Sequence, residues 1–86
     1  MYKLFYSREA ISSLRKISGK IAKRICSKLE NLAKDPHAKN NNIKPLKGAE
    51  ANYRLRMGDW RALYILNNKD KQIIIVNIDT RGGVYK

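Results

Sequence analysis

The chain is predicted to be an α+β protein with the order β-α-α-β-β-β, in which a helical hairpin packs on one face of an antiparallel sheet. Two observations predict this class. Apolar residues recur at helical spacing twice within residues 10–34, and runs rich in β-branched and aromatic residues fill the last third. Helices and strands segregated along the chain in this way are typical of α+β folds. No repeat or linker divides the 86 residues, so we expect one domain spanning residues 1–86.

The N-terminal part of the sequence predicts one strand and two helices. Residues 2–6 mix aromatic and aliphatic side chains, which favours a short strand. Ser7 is a good N-cap for a first helix, which Gly19 is expected to end. A second helix is predicted over residues 20–34, and an Asp-Pro pair follows it. Basic side chains lie between the apolar positions of this helix, and we interpret them as solvated surface rather than specific contacts.

An arginine-rich hairpin is predicted next. Gly58 and Asp59 favour a two-residue turn, which places Arg56 opposite Arg61. Because side chains alternate between the faces of a strand, Arg54 then shares one face with these two arginines. Like charges directly opposite each other destabilise a sheet, so the pattern indicates a surface that meets a polyanion.

The segments on either side of the hairpin complete the predicted sheet. Residues 44–48 are expected to form a basic loop, and residues 72–79 a strand rich in isoleucine. One register of this strand turns three residues toward the helices, namely Ile74, Val76 and Ile78. The same register places three others on the arginine face, namely Ile73, Ile75 and Asn77. The run of isoleucines leaves this register open.

The charge of the chain indicates the kind of partner. Its 19 basic and 7 acidic residues give a net charge of +12, which favours nucleic acid or an acidic protein over a membrane surface.

The sequence also excludes several kinds of site. Cys26 is the only cysteine, so an internal disulfide and a zinc-thiolate cluster are excluded, and we expect Cys26 to be a small buried hydrophobe. His37 is interpreted as a loop residue and not as a metal ligand. The longest apolar run, residues 73–76, is too short to span a bilayer, and we expect a cytoplasmic protein.

The arginines form the centre of a candidate site. Arg81 follows the last predicted strand and Tyr85 comes soon after it, while Lys44 and Lys47 could line the rim of the same concavity. This set contains no metal ligands, no serine or cysteine nucleophile paired with a base, and no glycine-rich phosphate loop. It suits cleavage of RNA, because there the 2′-hydroxyl is the nucleophile and guanidinium groups can stabilise the charge of the transition state.

Such a reaction also needs a base and an acid. Tyr85 is the candidate base, since surrounding cations favour the phenolate form of a tyrosine. An arginine is a poor acid because its pKa exceeds about 12, so Arg81 is expected to act mainly by electrostatics. Alternatives stay open: Arg54 as ordinary surface charge, Tyr85 as a residue that packs the C terminus, and Trp60 as a base-stacking residue or an ordinary edge aromatic.

Taken together, these residues resemble the RelE/ParE superfamily of bacterial toxins, and its RelE-like branch most closely. The matching motifs are Leu46-Lys47-Gly48, residues 53–56, residues 58–64, and Arg81 followed by Val84-Tyr85. The resemblance implies a RelE-like fold and a toxin of a type II toxin–antitoxin system. It implies a ribosome-dependent mRNA endonuclease that cuts in the A-site codon, leaves a 2′,3′-cyclic phosphate and uses no metal or other cofactor.

The resemblance also implies a role for each matched residue. Arg54 and Arg56 would bind the phosphate, and Arg61 would stabilise the transition state. Arg81 would protonate the leaving group and Tyr85 would be the general base.

One departure from the family pattern lies beside these residues. Many relatives have a histidine where this chain has Thr80. This chain therefore lacks a group that could transfer a proton in those relatives. The preceding residue, Asp79, is expected to lie near the arginines and to offset part of their charge.

The expected partners follow from the resemblance and the charge. They are a cognate acidic antitoxin that folds on binding, and the ribosome with its mRNA, whose 16S rRNA would contact the basic surface. Two alternatives have other targets: a ParE-like poison of DNA gyrase on the same scaffold, and a passive RNA-binding protein.

Overall fold

The computed structural model describes residues 1–47 and 51–80. The chain begins with strand β1, Lys3–Tyr6, which is followed by helix α1, Arg8–Lys16, and helix α2, Gly19–Lys34. Four strands follow, and their bounds are Ile43–Pro45 for β2, Tyr53–Met57 for β3, Trp60–Asn67 for β4 and Gln72–Thr80 for β5. None of the helices within the described residues is long and apolar enough to cross a membrane.

The five strands form one mixed sheet in the order β1-β5-β4-β3-β2. The pairs β2–β3, β3–β4 and β4–β5 are antiparallel, whereas β1 pairs with β5 in parallel. The predicted α+β class is confirmed, and the predicted order β-α-α-β-β-β holds except that one more strand, β2, precedes the arginine hairpin. The prediction of an antiparallel sheet is wrong at β1. Parallel neighbours need a long crossover connection, and the two helices together with the strands β2 to β4 supply it.

A second correction concerns the loop predicted over residues 44–48. Residues 43–45 are instead the short edge strand β2, with Lys44 opposite Arg54 and Pro45 opposite Tyr53. Proline cannot donate a hydrogen bond to a ladder, so its place on an edge strand is where a sheet tolerates it.

Serine side chains cap both helices. The Ser7 hydroxyl accepts a hydrogen bond from the amide of Ala10, as the sequence predicts, and the Ser18 hydroxyl accepts one from the amide of Ile21. Ile17, which is extended, and Ser18 separate the two helices, so α1 ends before Gly19 and Gly19 is the first residue of α2. Asp35 caps the C-terminal end of α2.

The register of β5 contains a β-bulge that the sequence does not reveal. Tyr64 pairs with Ile75 but Leu63 pairs with Asn77, so Val76 has no partner on β4. The extra residue reverses the alternation of side chains. The residues of β5 buried on the helix side are therefore Ile73, Ile75 and Ile78. Of the register that the sequence left open, the placement of Ile78 and Asn77 is confirmed, and that of Ile73, Ile74, Ile75 and Val76 is wrong.

The core lies between the two helices and one face of the sheet, as predicted. Its most buried helical residues are Ala10, Ile25, Leu29 and Ala33, and they pack with the fully buried Tyr64 and the buried isoleucines of β5. Cys26 is a free thiol that is partly rather than fully buried. The opposite face of the sheet carries the arginines.

Candidate nucleic-acid interface

The hairpin of β3 and β4 sets the positions of the three arginines. Gly58 has φ of 64° at the first central position of the turn, where a two-residue hairpin favours glycine. Met57 pairs with Trp60 and Arg56 with Arg61, as the sequence predicts. The two cationic side chains therefore face each other directly across the hairpin.

One row of charged residues crosses three strands near the turn. Arg56 on β3 lies opposite Arg61 on β4, and Arg61 lies opposite Asp79 on β5. The Nε–H of Arg61 donates a hydrogen bond of 2.7 Å to Oδ1 of Asp79. The prediction that Asp79 lies near the arginines and offsets part of their charge is therefore confirmed.

A second row lies next to the first on the same face. Lys44 on β2 is opposite Arg54 on β3, and Arg54 is opposite Leu63 on β4. Lys44 is exposed and Arg54 is half-buried. The structure thus brings Lys44 into line with the arginines, because residues 43–45 form a strand. Lys47 is exposed beyond the end of β2.

The three arginines surround a small concavity. A cavity of about 120 Å³ is lined by Arg54, Arg56, Arg61 and Trp60. Arg56 is exposed, whereas the other two arginines and Trp60 are half-buried. Guanidinium groups held close together on a partly dehydrated surface attract phosphate strongly, because they offer both charge and directed donors. Trp60 also packs against the core beside Met57, its partner across the hairpin, so the three arginines are the residues of this concavity that suit a phosphate.

The two remaining predicted site residues, Arg81 and Tyr85, lie outside the described residues. The last described residue of β5 is Thr80, whose backbone pairs with that of Trp60 beside the turn. The roles of Arg81 and Tyr85 stay predictions.

Two of the described tyrosines are poor candidates for a general base. Burial raises the pKa of Tyr64 to about 12, and the neighbouring Tyr53 adds to the shift. Burial also raises the pKa of Tyr6, and contacts with Cys26 and Glu30 raise it further. Both rings pack against the helices and not on the arginine face.

His37 has a structural contact instead of a metal site. Its Nε2 lies 2.8 Å from Oδ1 of Asn68, which also accepts a hydrogen bond from the hydroxyl of Tyr2 at 2.7 Å. These contacts tie the loop after α2 to the start of β1 and to the turn before β5. Within the part of the chain that the structure describes, no three His, Cys, Asp or Glu side chains are grouped so that they could hold a metal ion.

Sequence reasoning missed two features of this interface. The bulge at Val76 turns Asp79 toward Arg61, and β2 turns Lys44 toward Arg54. The change from apolar Ile43 to charged Lys44 is the only sequence signal for this strand, and it is weak. No local sequence signal marks the bulge.

Comparison with known proteins agrees with this architecture. Residues 4–85 match the family described as the ParE toxin of the type II toxin–antitoxin system parDE. The chain belongs to this toxin family. The resemblance to the RelE/ParE superfamily that the sequence suggested is therefore confirmed.

Relatives within the superfamily include archaeal proteins. A Methanocaldococcus jannaschii protein that carries the name toxin RelE1 is 32% identical over 80 residues, which cover 92% of this chain and 89% of the relative. A chain of the archaeal RelE–RelB complex from Pyrococcus horikoshii is 26% identical, with a TM-score of 0.80 and coverage of 96% of this chain and 98% of that chain.

A bacterial structure extends the likeness of fold. A chain of the RelBE2 toxin–antitoxin complex from Mycobacterium tuberculosis matches with a TM-score of 0.77 and 23% identity. The match covers 93% of this chain and 98% of that chain. At this identity the likeness shows the fold alone.

Proposed function

We propose that this toxin is an endoribonuclease that cleaves mRNA in the A-site codon of the ribosome, and that it acts in the cytoplasm. The observation that carries the proposal is the cavity lined by Arg54, Arg56, Arg61 and Trp60 on the face of the sheet opposite the helices. Three guanidinium groups around one concavity suit the phosphates of a polyanion such as RNA.

The reaction uses a nucleophile that RNA already contains. The 2′-oxygen attacks the adjacent phosphorus, a new P–O2′ bond forms and the P–O5′ bond breaks, which leaves a 2′,3′-cyclic phosphate and a 5′-hydroxyl. Arg61 stabilises the negative charge that builds on the phosphate oxygens. Arg54 and Arg56 bind the phosphate, and Lys44 and Lys47 extend the basic surface along the strand.

Two protons move in this reaction. Tyr85 takes the proton of the 2′-hydroxyl as general base, and the resemblance assigns to Arg81 the proton that the leaving 5′-oxygen requires, although a guanidinium is a weak acid. These two roles rest on the resemblance to RelE-like toxins, since both residues lie outside the described range. The charge on Arg81 also stabilises the leaving oxygen before it is protonated.

The proposed partners are the ribosome with its mRNA and a cognate antitoxin. The exposed basic side chains, among them Lys44 and Arg56, offer charge for 16S rRNA as well as mRNA. The P. horikoshii relative forms a RelE–RelB complex, which supports a RelB-like antitoxin for this chain. With a net charge of +12, an acidic partner is expected.

Primer extension on mRNA in programmed ribosomes tests the proposal. We expect a cut within the A-site codon with the wild-type protein, and none without ribosomes. Arg61→Ala, Arg81→Ala and Tyr85→Phe should each lower the cleavage rate by a hundredfold or more, whereas Lys69→Ala, in the exposed turn between β4 and β5, should cleave normally. Intact mRNA with wild-type protein overturns the proposal, and normal cleavage by Arg81→Ala and Tyr85→Phe overturns the mechanism.

A second candidate function is poisoning of DNA gyrase. It is favoured by the family match, whose description names the ParE toxin. The two candidates give opposite results in a pair of assays. Inhibited supercoiling by purified gyrase, together with intact mRNA on ribosomes, would favour the gyrase poison, and the reverse pair would favour RNA cleavage.

A further inference from the structure

Asp79 lies on the arginine face only because of the β-bulge in β5. From Asn67–Gln72 to Tyr64–Ile75 the β4–β5 pairs follow one register, and beyond Val76 the partner is shifted by one residue. Without that shift Arg61 would lie opposite Ile78, and Asp79 would point toward the helices. Bulges are found next to active sites, where they re-aim a side chain. Here the bulge brings a carboxylate to Arg61.

The contact between Arg61 and Asp79 is unusual for this protein. It is the only ion pair among the described residues of a chain with 19 basic and 7 acidic residues. The side chains are 29% and 33% exposed, so both are partly shielded from water. Arg61 thus lies between a carboxylate, Asp79, on β5 and a second arginine, Arg56, on β3.

The geometry of the ion pair leaves much of the guanidinium free. Asp79 accepts from Nε of Arg61, and no other hydrogen bond of the Arg61 side chain occurs within the described residues. An arginine has five N–H donors in a planar fork, so the Nη groups keep their capacity to bind a phosphate. A carboxylate that blocked the site would be expected to occupy two donors side by side.

We propose that Asp79 is a positioning residue, which holds the guanidinium of Arg61 so that its Nη groups serve the phosphate bound in the arginine-lined cavity. This inference rests on the proposed function, because it assigns Asp79 to the same site. The carboxylate fixes a long side chain and offsets the repulsion between Arg61 and Arg56. It also lowers the positive charge of the site, so positioning is gained at the expense of phosphate affinity.

This role predicts opposite changes in binding and in cleavage. Asp79→Ala removes a negative charge, so RNA should bind about two- to fivefold more tightly. The same change frees Arg61 to leave its productive orientation, so bound RNA should be cleaved about tenfold more slowly or worse. In Asp79→Asn the amide oxygen can still accept from Nε of Arg61. We therefore expect this variant to bind as tightly as Asp79→Ala but to recover most of the cleavage rate.

The experiment measures the two quantities separately. Single-turnover cleavage on programmed ribosomes gives the rate, and fluorescence anisotropy with a single-stranded RNA that has a 2′-deoxy group at the scissile position gives affinity. Asp59→Asn is the matched control, because it removes the same charge from the exposed turn without touching Arg61 and should leave the cleavage rate unchanged. Thermal unfolding of each variant shows whether it is folded.

A third measurement is independent of cleavage. The Nε–Hε signal of Arg61 in a ¹⁵N correlation spectrum should be sharp in the wild type and in Asp79→Asn, and broadened by exchange with water in Asp79→Ala.

The outcomes that contradict the positioning role are distinct. Tighter binding combined with faster cleavage by Asp79→Ala would overturn this role and show that Asp79 instead inhibits the site by neutralising Arg61. An unchanged cleavage rate or an unchanged Arg61 signal would overturn it as well. If wild-type protein does not cleave, the proposed function fails, while the spectrum and the binding data still decide whether Asp79 positions Arg61.

Discussion

The hydroxyl of Ser7 links the start of α1 to the bulge in β5. It accepts a hydrogen bond from the amide of Ala10, which caps the helix, and it donates one to the carbonyl of Val76, the residue without a partner on β4. The amide of Ser7 also donates to the carbonyl of Ile75. One side chain thus satisfies a helix terminus and a backbone group that the bulge leaves out of the ladder.

Ser7→Ala should therefore cost more stability than the loss of an ordinary helix cap. A cap contributes about 1 kcal/mol, and a partly buried carbonyl that loses its partner adds about 1 kcal/mol. We expect the free energy of unfolding to fall by about 2 kcal/mol, as measured by urea denaturation. Ser18→Ala, at the exposed cap of α2, is the control and should cost about 1 kcal/mol or less. Equal losses in the two variants would show that the Val76 contact contributes nothing.

The register of β5 predicts which isoleucines contribute most to the stability of the core. Ile75 is fully buried, whereas its neighbour Ile74 is half-buried on the opposite face. Ile75→Ala should lower the free energy of unfolding by about 2–5 kcal/mol, since it leaves a cavity. Ile74→Ala should cost about 1 kcal/mol. Urea denaturation of both variants checks this, and the reverse order of the two losses would show that Ile74, and not Ile75, faces the helices.

The contrast between the helices and β5 explains what the sequence could predict. Ser7 and the Gly58-Asp59 turn act on residues close to them in the chain, so the first helix cap and the hairpin register could be predicted from local patterns. The bulge at Val76 depends on how β5 meets β4 and α1. A run of isoleucines offers apolar side chains to both faces and gives no alternation to read.

The candidate site likewise combines features set by nearby residues, which the sequence could predict, with features set by distant strands, which it could not. The shared face of Arg54, Arg56 and Arg61 follows from the hairpin turn alone, and the sequence predicted it correctly. The contact of Lys44 with this face depends on an edge strand of three residues, which is too short to stand out in the sequence. Long-range pairing also made β1 parallel to β5, because no local pattern specifies the direction of a neighbouring strand.

The stability of the protein should fall in alkaline solution through Tyr64. Its ring is 1% exposed and stacks on Tyr53 with centroids 5.6 Å apart, and burial raises the pKa of Tyr64 to about 12. An unfolded tyrosine has a pKa of about 10, so the unfolded state loses this proton first as the pH rises. The stabilisation is therefore complete below pH 10 and is lost between pH 10 and 12, by up to about 1.4 kcal/mol per pH unit.

Tyr64→Phe isolates this effect from the other groups that titrate in the same range. Tyr6, whose pKa is also raised by burial, stays in both proteins. Urea denaturation at several pH values from 8 to 11.5 should show the wild type losing stability more steeply than Tyr64→Phe above pH 10. If the free energy of unfolding fell with pH at the same rate in both proteins, Tyr64 would have the same pKa in the folded state as in the unfolded chain.

The binding of single-stranded RNA should depend on salt in proportion to the phosphates that the basic face neutralises. The logarithm of the association constant falls with the logarithm of salt concentration by about 0.7 for each phosphate contact. Arg54→Ala and Lys44→Ala should each reduce this slope by about 0.7, because Arg54 lines the cavity and Lys44 lies opposite Arg54 on the neighbouring strand. Lys69→Ala should leave it unchanged. Equal reductions in all three variants would indicate a diffuse charge effect without a defined RNA path.

The single tryptophan offers a direct test of whether a base stacks at the cavity. Trp60 is half-buried and lines the cavity together with the three arginines, and no other indole contributes to the emission of the protein. Binding of a single-stranded RNA with a 2′-deoxy group at the scissile position should quench and shift this emission, since stacking changes the environment of the ring. Arg61→Ala should weaken the binding but leave the same limiting change at saturation. Saturable binding by anisotropy with constant emission would make Trp60 an ordinary edge aromatic, and the phosphates alone would then hold the RNA.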